Sequence, residues 1–217
     1  MNNLIKFGIL SSANNQAPTT VSTVTRSFDF EDGLNPWTYG SYGSVTASVS
    51  AAQAHGGAQS WFLDTSSSAK SLSLYDEPMI LNGSFSLSGW FYTVSSSGNM
   101  LLACCCEDSD TLGYQFRVDQ SANKIKAYDT WYNTQMGLSS DVATLPISAN
   151  AWYKMELTVL TTNPMTFNIK VFNAELVTII DSNIIDTIGT RTSGYWGVGC
   201  SGDTYWDDVV CTYTPFV

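Results

Sequence analysis

Positive charge is scarce in this chain. Nine Lys and Arg stand against 19 Asp and Glu in 217 residues, a formal net charge of −10. Binding a polyanion such as DNA takes clustered cations that release its counterions. No such cluster occurs, so nucleic acid is not an expected partner, and neither is an anionic membrane surface. Histidine is reduced to His55, and no CxxC pair occurs among Cys104, Cys105, Cys106, Cys200 and Cys211. A zinc site is therefore not expected, and an odd cysteine count leaves at least one thiol without a partner within the chain. No apolar run approaches the roughly 18 residues of a membrane helix, so membrane insertion is not expected. The opening "MNNLIKFGIL" lacks a long apolar segment and a small-residue cleavage site, which predicts no signal peptide. With the Met1 start, this fits a chain made in the cytoplasm and held in an assembly.

What remains is apolar, aromatic and hydroxyl-rich. Hydrophobic residues make up 44% and aromatics 13%, ample for one sizeable core. Charged residues are only 13%, against roughly 25% in an ordinary soluble domain. Ser and Thr take over the surface, as suits exposed pleated sheet. Short alternating runs recur from residue 21 onward: "VSTVTRSFDF", "SVTASVSA", "SLSLY", "SFSLSGWFY", "NMLLACCC", "YQFRVD", "NKIKAYD", "WYKMELTVL", "TFNIKVF", "YWGVGC" and "YWDDVVCTY". Gly, Asn, Asp and Ser punctuate them, and no stretch has a convincing helical period. "AELVTIIDSNIIDTIG" reads as either a short helical turn or a strand with a loop. The pattern predicts an all-β, two-sheet antiparallel sandwich over residues 21–217, preceded by an extended N-terminal arm, residues 1–20.

Alternation assigns faces. Phe85, Leu87 and Phe91 share one side, with Trp90 and Tyr92 on the other. Tyr153, Met155, Leu157 and Val159 point away from Lys154, Glu156 and Thr158. Cys104 and Cys106 should share a side, with Cys105 opposite. Trp37, Trp61, Trp196 and Trp206 read as packing residues.

Acids gather at both ends of the folded region, in "FDFEDGLNPW" and "TYWDDVVC". The first of these stretches, with "SVTASVSAAQAHGGAQSWFL", "SFSLSGWFY", "ANAWYKMELTV" and the closing "YWDDVVCTY", resembles the concanavalin A-like lectin and glucanase (LamG-like) jelly rolls. The likeness covers about residues 28–213 and extends to jelly-roll carbohydrate-binding modules. It implies that the first and last strands lie side by side. It also implies a structural Ca²⁺, with carboxylates from Glu31 and Asp208 and a backbone carbonyl near Gly57; hard oxygens are what that ion takes. In the alternative, Glu31 and Asp208 accept hydrogen bonds from backbone amides while Asp32 and Asp207 are solvated turn acids. The sequence leaves both open.

The glucanases of that superfamily carry a Glu-x-Asp-x-x-Glu motif or a near variant, because cleavage needs two carboxyls spaced across the bond. Glu31, Glu77, Glu107, Glu156 and Glu175 are the only glutamates, and none belongs to such a motif. His55 lies in a Gly-rich turn, "AQAHGGAQ", and a hydrolase triad would need it to face a Ser or Cys and an acid. No enzyme is expected. Candidate sugar-stacking residues are Trp90 and Tyr92 on the outward face, and Tyr128, Trp131 and Tyr132 in "AYDTWYNTQ", with Gln115, Arg117 and Asn133 supplying hydrogen bonds. The expected function is a non-catalytic, lectin-like domain that binds carbohydrate and is displayed, with protein partners, on a virion or extracellular assembly. The alternative is a structural or decoration protein that assembles through its arm and sheet edges, and a hydrolase or lyase of the same fold is a remote third.

Overall fold

A computed structural model describes residues 22–33, 37–42, 45–65, 70–107, 112–130, 146–187 and 191–216. The expected arm, residues 1–20, lies outside the described residues, as do Trp131, Tyr132 and Asn133. Every regular element described is a strand: β1 (Val24–Phe28), β2 (Trp37–Tyr42), β3 (Val45–Ser50), β4 (Ser60–Thr65), β5 (Lys70–Tyr75), β6 (Met79–Ile80), β7 (Ser86–Thr93), β8 (Asn99–Cys106), β9 (Leu112–Asp119), β10 (Lys124–Thr130), β11 (Trp152–Thr162), β12 (Met165–Phe172), β13 (Thr178–Ile185), β14 (Ser193–Ser201) and β15 (Thr204–Pro215). No helix among the described residues is long and apolar enough to cross a membrane.

The strands form two antiparallel sheets. In the first, the order is β13-β12-β11-β7-β15. Beyond β15 the edge is shared: β1 pairs with its later part, Phe28 opposite Val209, and β4 with its start, Trp61 opposite Trp206; β3 then pairs β4. In the second sheet the order is β10-β9-β8-β14-β5-β2. The short β6 pairs both β14 and β15 and so bridges the two sheets. The first and last strands are thus hydrogen-bonded neighbours, as the jelly-roll resemblance implies.

The inward faces follow the alternation. Phe85, Leu87, Phe91, Met155, Leu157, Phe167, Ile169 and Val171 are all buried between the sheets. Lys154 and Glu156 point outward and pair with each other at 2.7 Å, as a surface reading of Glu156 requires. The ambiguous stretch from Ala174 supplies the edge strand β13. Its apolar residues are spent asymmetrically: Ile180 and Ile184 are buried, whereas Ile185 is exposed.

An aromatic nucleus joins the two sheets near β1. Trp196 on β14 touches Tyr75, Trp37, Tyr213 and Phe28, with ring centroids 4.9, 5.4, 5.8 and 6.1 Å away. Phe30 stacks on Trp61 at 6.0 Å. Trp37, Trp61, Trp196 and Trp206 are all at most 3% exposed, in line with their reading as packing residues.

The cysteine run departs from simple alternation. Cys105 takes a positive φ of 53°, and the β8–β14 register shifts at this point. Cys104 and Cys105 therefore both enter the core between the sheets, while Cys106 joins Leu72, Leu74, Leu101 and Ala103 on the outer side of the second sheet. The expected pairing of Cys104 with Cys106 fails because an irregular residue resets the period of two. All five cysteines are free and buried. Burial raises the Cys106, Cys200 and Cys211 thiols well above their usual range, so they behave as small apolar residues rather than nucleophiles.

Candidate functional site

The two acid clusters meet at one turn. In a strict two-residue period, Asp208 would share the inward side with Trp206. Instead β15 carries one extra residue between Asp207 and Val210 relative to β7, and Asp208 has φ 48°. This bulge lets both Trp206 and Val209 stay fully buried while both aspartates leave the core. Asp207 Oδ2 accepts the backbone N–H of His55 at 2.8 Å and of Gly56 at 3.1 Å, and its Oδ1 accepts that of Asp208 at 2.8 Å. Asp208 Oδ2 pairs with His55 Nδ1 at 2.9 Å. From the other cluster, Glu31 Oε1 accepts the N–H groups of Ala58 and Gln59, both at 2.7 Å. The Ser60 hydroxyl closes the base of the turn on the Gln53 carbonyl. Residues 53–60 are therefore clasped by carboxylates from both ends of the folded region. Glycine is needed at the centre: Gly57 has φ +60°, and a Cβ there would fall 2.4 Å from Glu31 Oε1.

Asp207 differs from the expectation of a solvated turn acid, for it is 0% exposed. Burial pushes its carboxyl above the usual range, and its three backbone donors pull it back only in part.

The expected Ca²⁺ does not match this donor set. The ion takes six to eight oxygens. Glu31 Oε1 and Asp208 Oδ2 are already engaged by N–H donors or the imidazole, and the turn carrying Gly57 closes directly on the Glu31 carboxylate. Among the described residues no group of three or more His, Cys, Asp or Glu gathers around a point that could hold a metal. Backbone amides do the neutralising that the ion would otherwise do, which is the amide-acceptor alternative for Glu31. The expected outcome of adding Ca²⁺ or EDTA is a melting temperature unchanged within about 1 °C. A native-state ligand at 100 times its Kd would add about 2.7 kcal/mol, so a rise of several degrees with Ca²⁺ would reinstate the ion.

The clasped turn carries His55 onto the outward face of the first sheet. His55 stacks on Trp90 with centroids 3.7 Å apart and planes 15° from parallel, and meets the edge of Trp152 at 5.5 Å. Trp90 does project outward as read, but it is only 8% exposed. A sugar cannot use the ring face that His55 covers, so Trp90 serves as support rather than as an open platform. Tyr92, two residues on, is half-buried. It lies 5.5 Å from Trp152 and 6.0 Å from Tyr205, and its hydroxyl reaches Asn150 Oδ1 at 3.4 Å.

Tyr128 stands on the outer side of the second sheet, opposite Gln115. The Arg117 guanidinium lies 4.3 Å from its ring centroid and donates to Gln115 Oε1 at 2.6 Å. Of the residues grouped from the sequence, Tyr128, Gln115 and Arg117 lie together here, while Trp131, Tyr132 and Asn133 fall outside the described residues. Tyr128 is nonetheless only 8% exposed, with Arg117 on its ring. Desolvation lowers the Arg117 pKa, against the raising influence of Tyr128 and Asp119.

Trp152 and Tyr205 were missed as surface candidates. Trp152 reads as a strand opener, and Tyr205 stands beside the more conspicuous Trp206. Alternation against Trp206 would have placed Tyr205 outward.

No protein-family model and no curated protein matches the sequence. Solved structures do match in fold. A Bacillus subtilis protein of unknown function with a galectin-like fold superposes with a TM-score of 0.59 at 10% identity, over 88% of this chain and 95% of that one. Lectin II from Ulex europaeus gives 0.54 at 12% identity, over 88% and 97%. The exoplasmic/lumenal domain of VIP36, in a Ca²⁺/Man3GlcNAc-bound form, gives 0.54 at 10% identity, over 84% of each chain. The chain thus has the concanavalin A-like jelly-roll fold that its sequence resembles.

Proposed function

We propose that this chain is a non-catalytic, lectin-like domain that binds carbohydrate through outward aromatics. The observation that carries this reading is the outer side of the first sheet. There Tyr92 and Trp152 stand half-buried beside the His55–Trp90 stack, on a face that also carries Ser86, Ser88, Thr158 and the Lys154–Glu156 pair. Sugars present C–H faces that pack on such rings, and hydroxyls that polar neighbours bind. The lectins of the same fold support the reading by likeness of architecture. Four of the described carboxylates are committed elsewhere: Glu31 and Asp207 hold a turn, Glu156 pairs with Lys154, and Glu77 pairs with Arg26 at 2.9 Å. Hydrolysis of a glycosidic bond requires two carboxyls spaced across it, and these four are engaged in holding the fold.

Display on a virion or another extracellular assembly is the wider setting we infer, with protein subunits as further partners. Tyr128, with Trp131 and Tyr132 of the same sequence stretch, is the rival aromatic group for sugar. The test is a glycan array with the isolated domain. Bound glycan on the array is the expected result. An empty array would overturn the lectin reading in favour of a structural or decoration role. That second reading draws on the edge strand β13, whose backbone is suited to strand addition, and on the exposed Leu176 and Val177 just before it and Ile185 at its end.

A further inference from the structure

The register of the first sheet sets four outward rings in a single line across it. Phe62 on β4 is opposite Tyr205 on β15; Tyr205 is opposite Tyr92 on β7; Tyr92 is opposite Trp152 on β11. Each ring touches the next, at 4.5, 6.0 and 5.5 Å between centroids. Phe62 and Tyr205 stack at 25°, Tyr92 meets Tyr205 at 76°, and Trp152 tilts by 53°. Rings interlocked in this way are pre-formed, and a pre-formed surface loses little side-chain freedom on binding. Phe62, Tyr92 and Trp152 are each half-buried, so part of each is open to solvent, whereas Tyr205 is buried and braces the rings on either side of it. His55 walls the line at Trp152.

The charge beside the line is negative. Asp64 is the next outward residue after Phe62 on β4, and Asp203, in the turn that precedes β15, accepts the Thr65 N–H at 3.0 Å. Burial, Asp203, Tyr92 and Asp64 together raise the Tyr205 phenol, in keeping with both acids lying close. The cation nearest in register, Lys154, is bound by Glu156. Carboxylates accept hydrogen bonds from sugar hydroxyls and repel sialic acid, sulfate and phosphate.

We infer that Phe62, Tyr92 and Trp152, braced by the buried Tyr205 between them, form one extended strip for a neutral oligosaccharide, with Asp64 and Asp203 as hydroxyl acceptors at its border. Open rings spread over three strands suit a chain of sugars better than a single unit. This inference rests on the lectin reading and narrows it to one face and one ligand class.

The test titrates the wild-type domain with oligomannose, N-acetyllactosamine oligomers and cello-oligosaccharides, and with sialylated and sulfated N-acetyllactosamine. The same titrations follow for Trp152→Ala, Phe62→Ala and Trp131→Ala, each checked for an intact melting transition, with Trp152→Phe as the milder partner if an alanine variant fails to fold. The expected result is binding of at least one neutral probe. Trp152→Ala and Phe62→Ala should weaken it at least about tenfold, as for truncation of a central contact residue, and Trp131→Ala should leave it intact. Preference for the sialylated or sulfated probes would overturn the ligand class. Binding lost only in Trp131→Ala would overturn the strip yet keep the lectin reading. No binding of any probe would overturn both.

Discussion

Replacing Trp196 by alanine is expected to destabilise the fold by about 4 kcal/mol, the range for removing a buried large aromatic. Trp196 is 0% exposed and stands between the sheets, with Phe28, Trp37, Tyr75 and Tyr213 around it. These neighbours come from β1, β2, β5 and β15, so one cavity loosens both sheets at once. In a domain of this size the loss corresponds to a fall of about 10 °C in Tm. Trp196→Phe separates packing from hydrogen bonding. The buried indole N–H of Trp196 has no hydrogen-bond partner among the described residues, so phenylalanine removes an unsatisfied donor along with some volume. Its cost should be about 1–2 kcal/mol, well below that of alanine. Chemical denaturation measures both. A loss under about 1 kcal/mol for the alanine variant would show that the aromatic nucleus is not what couples the sheets.

Asp207→Ala has the next largest expected effect, a loss of about 2–3 kcal/mol. Three backbone N–H groups, of His55, Gly56 and Asp208, lose their acceptor in one step. Water can reach part of the turn and soften the loss, which keeps the figure below the sum of three buried donors. Asp207→Asn retains one carbonyl oxygen and should fall between wild type and alanine. The release of the turn has its own signature. His55 should leave the Trp90 ring, so acrylamide quenching of tryptophan fluorescence should increase in Asp207→Ala. A variant within about 0.5 kcal/mol of wild type, with unchanged quenching, would mean that Glu31 and Ser60 hold the turn without Asp207.

The strand pattern was legible because alternation is a local property. Phe85, Leu87 and Phe91 point inward, and Lys154 and Glu156 point outward, as the period of two requires. β2 was harder to read, since Trp37–Tyr42 mixes Gly, Ser and aromatics without a clean period. The two-residue β6 has no period at all. Alternation also misleads wherever one residue takes a positive φ. Cys105 and Asp208 do so, and each moves its neighbours to a face that simple counting denies them. The meeting of the acid clusters followed from the jelly-roll resemblance. Their partners did not, because backbone amides carry no side-chain signature. The aromatic line needs strand register as well as facing, and register is set by pairings between strands far apart in sequence: Phe62 and Tyr205 become neighbours only once β4 is laid against β15.

The central claim is that the outward aromatic line of the first sheet receives a neutral glycan. The most direct measurement is fluorine NMR of the domain labelled with 5-fluorotryptophan, titrated with a neutral oligosaccharide that binds on the array and assigned with single Trp→Phe variants. The account predicts that the Trp152 resonance moves, while those of the buried Trp61 and Trp196 stay in place. A titration that shifts Trp131 and leaves Trp152 untouched would contradict it.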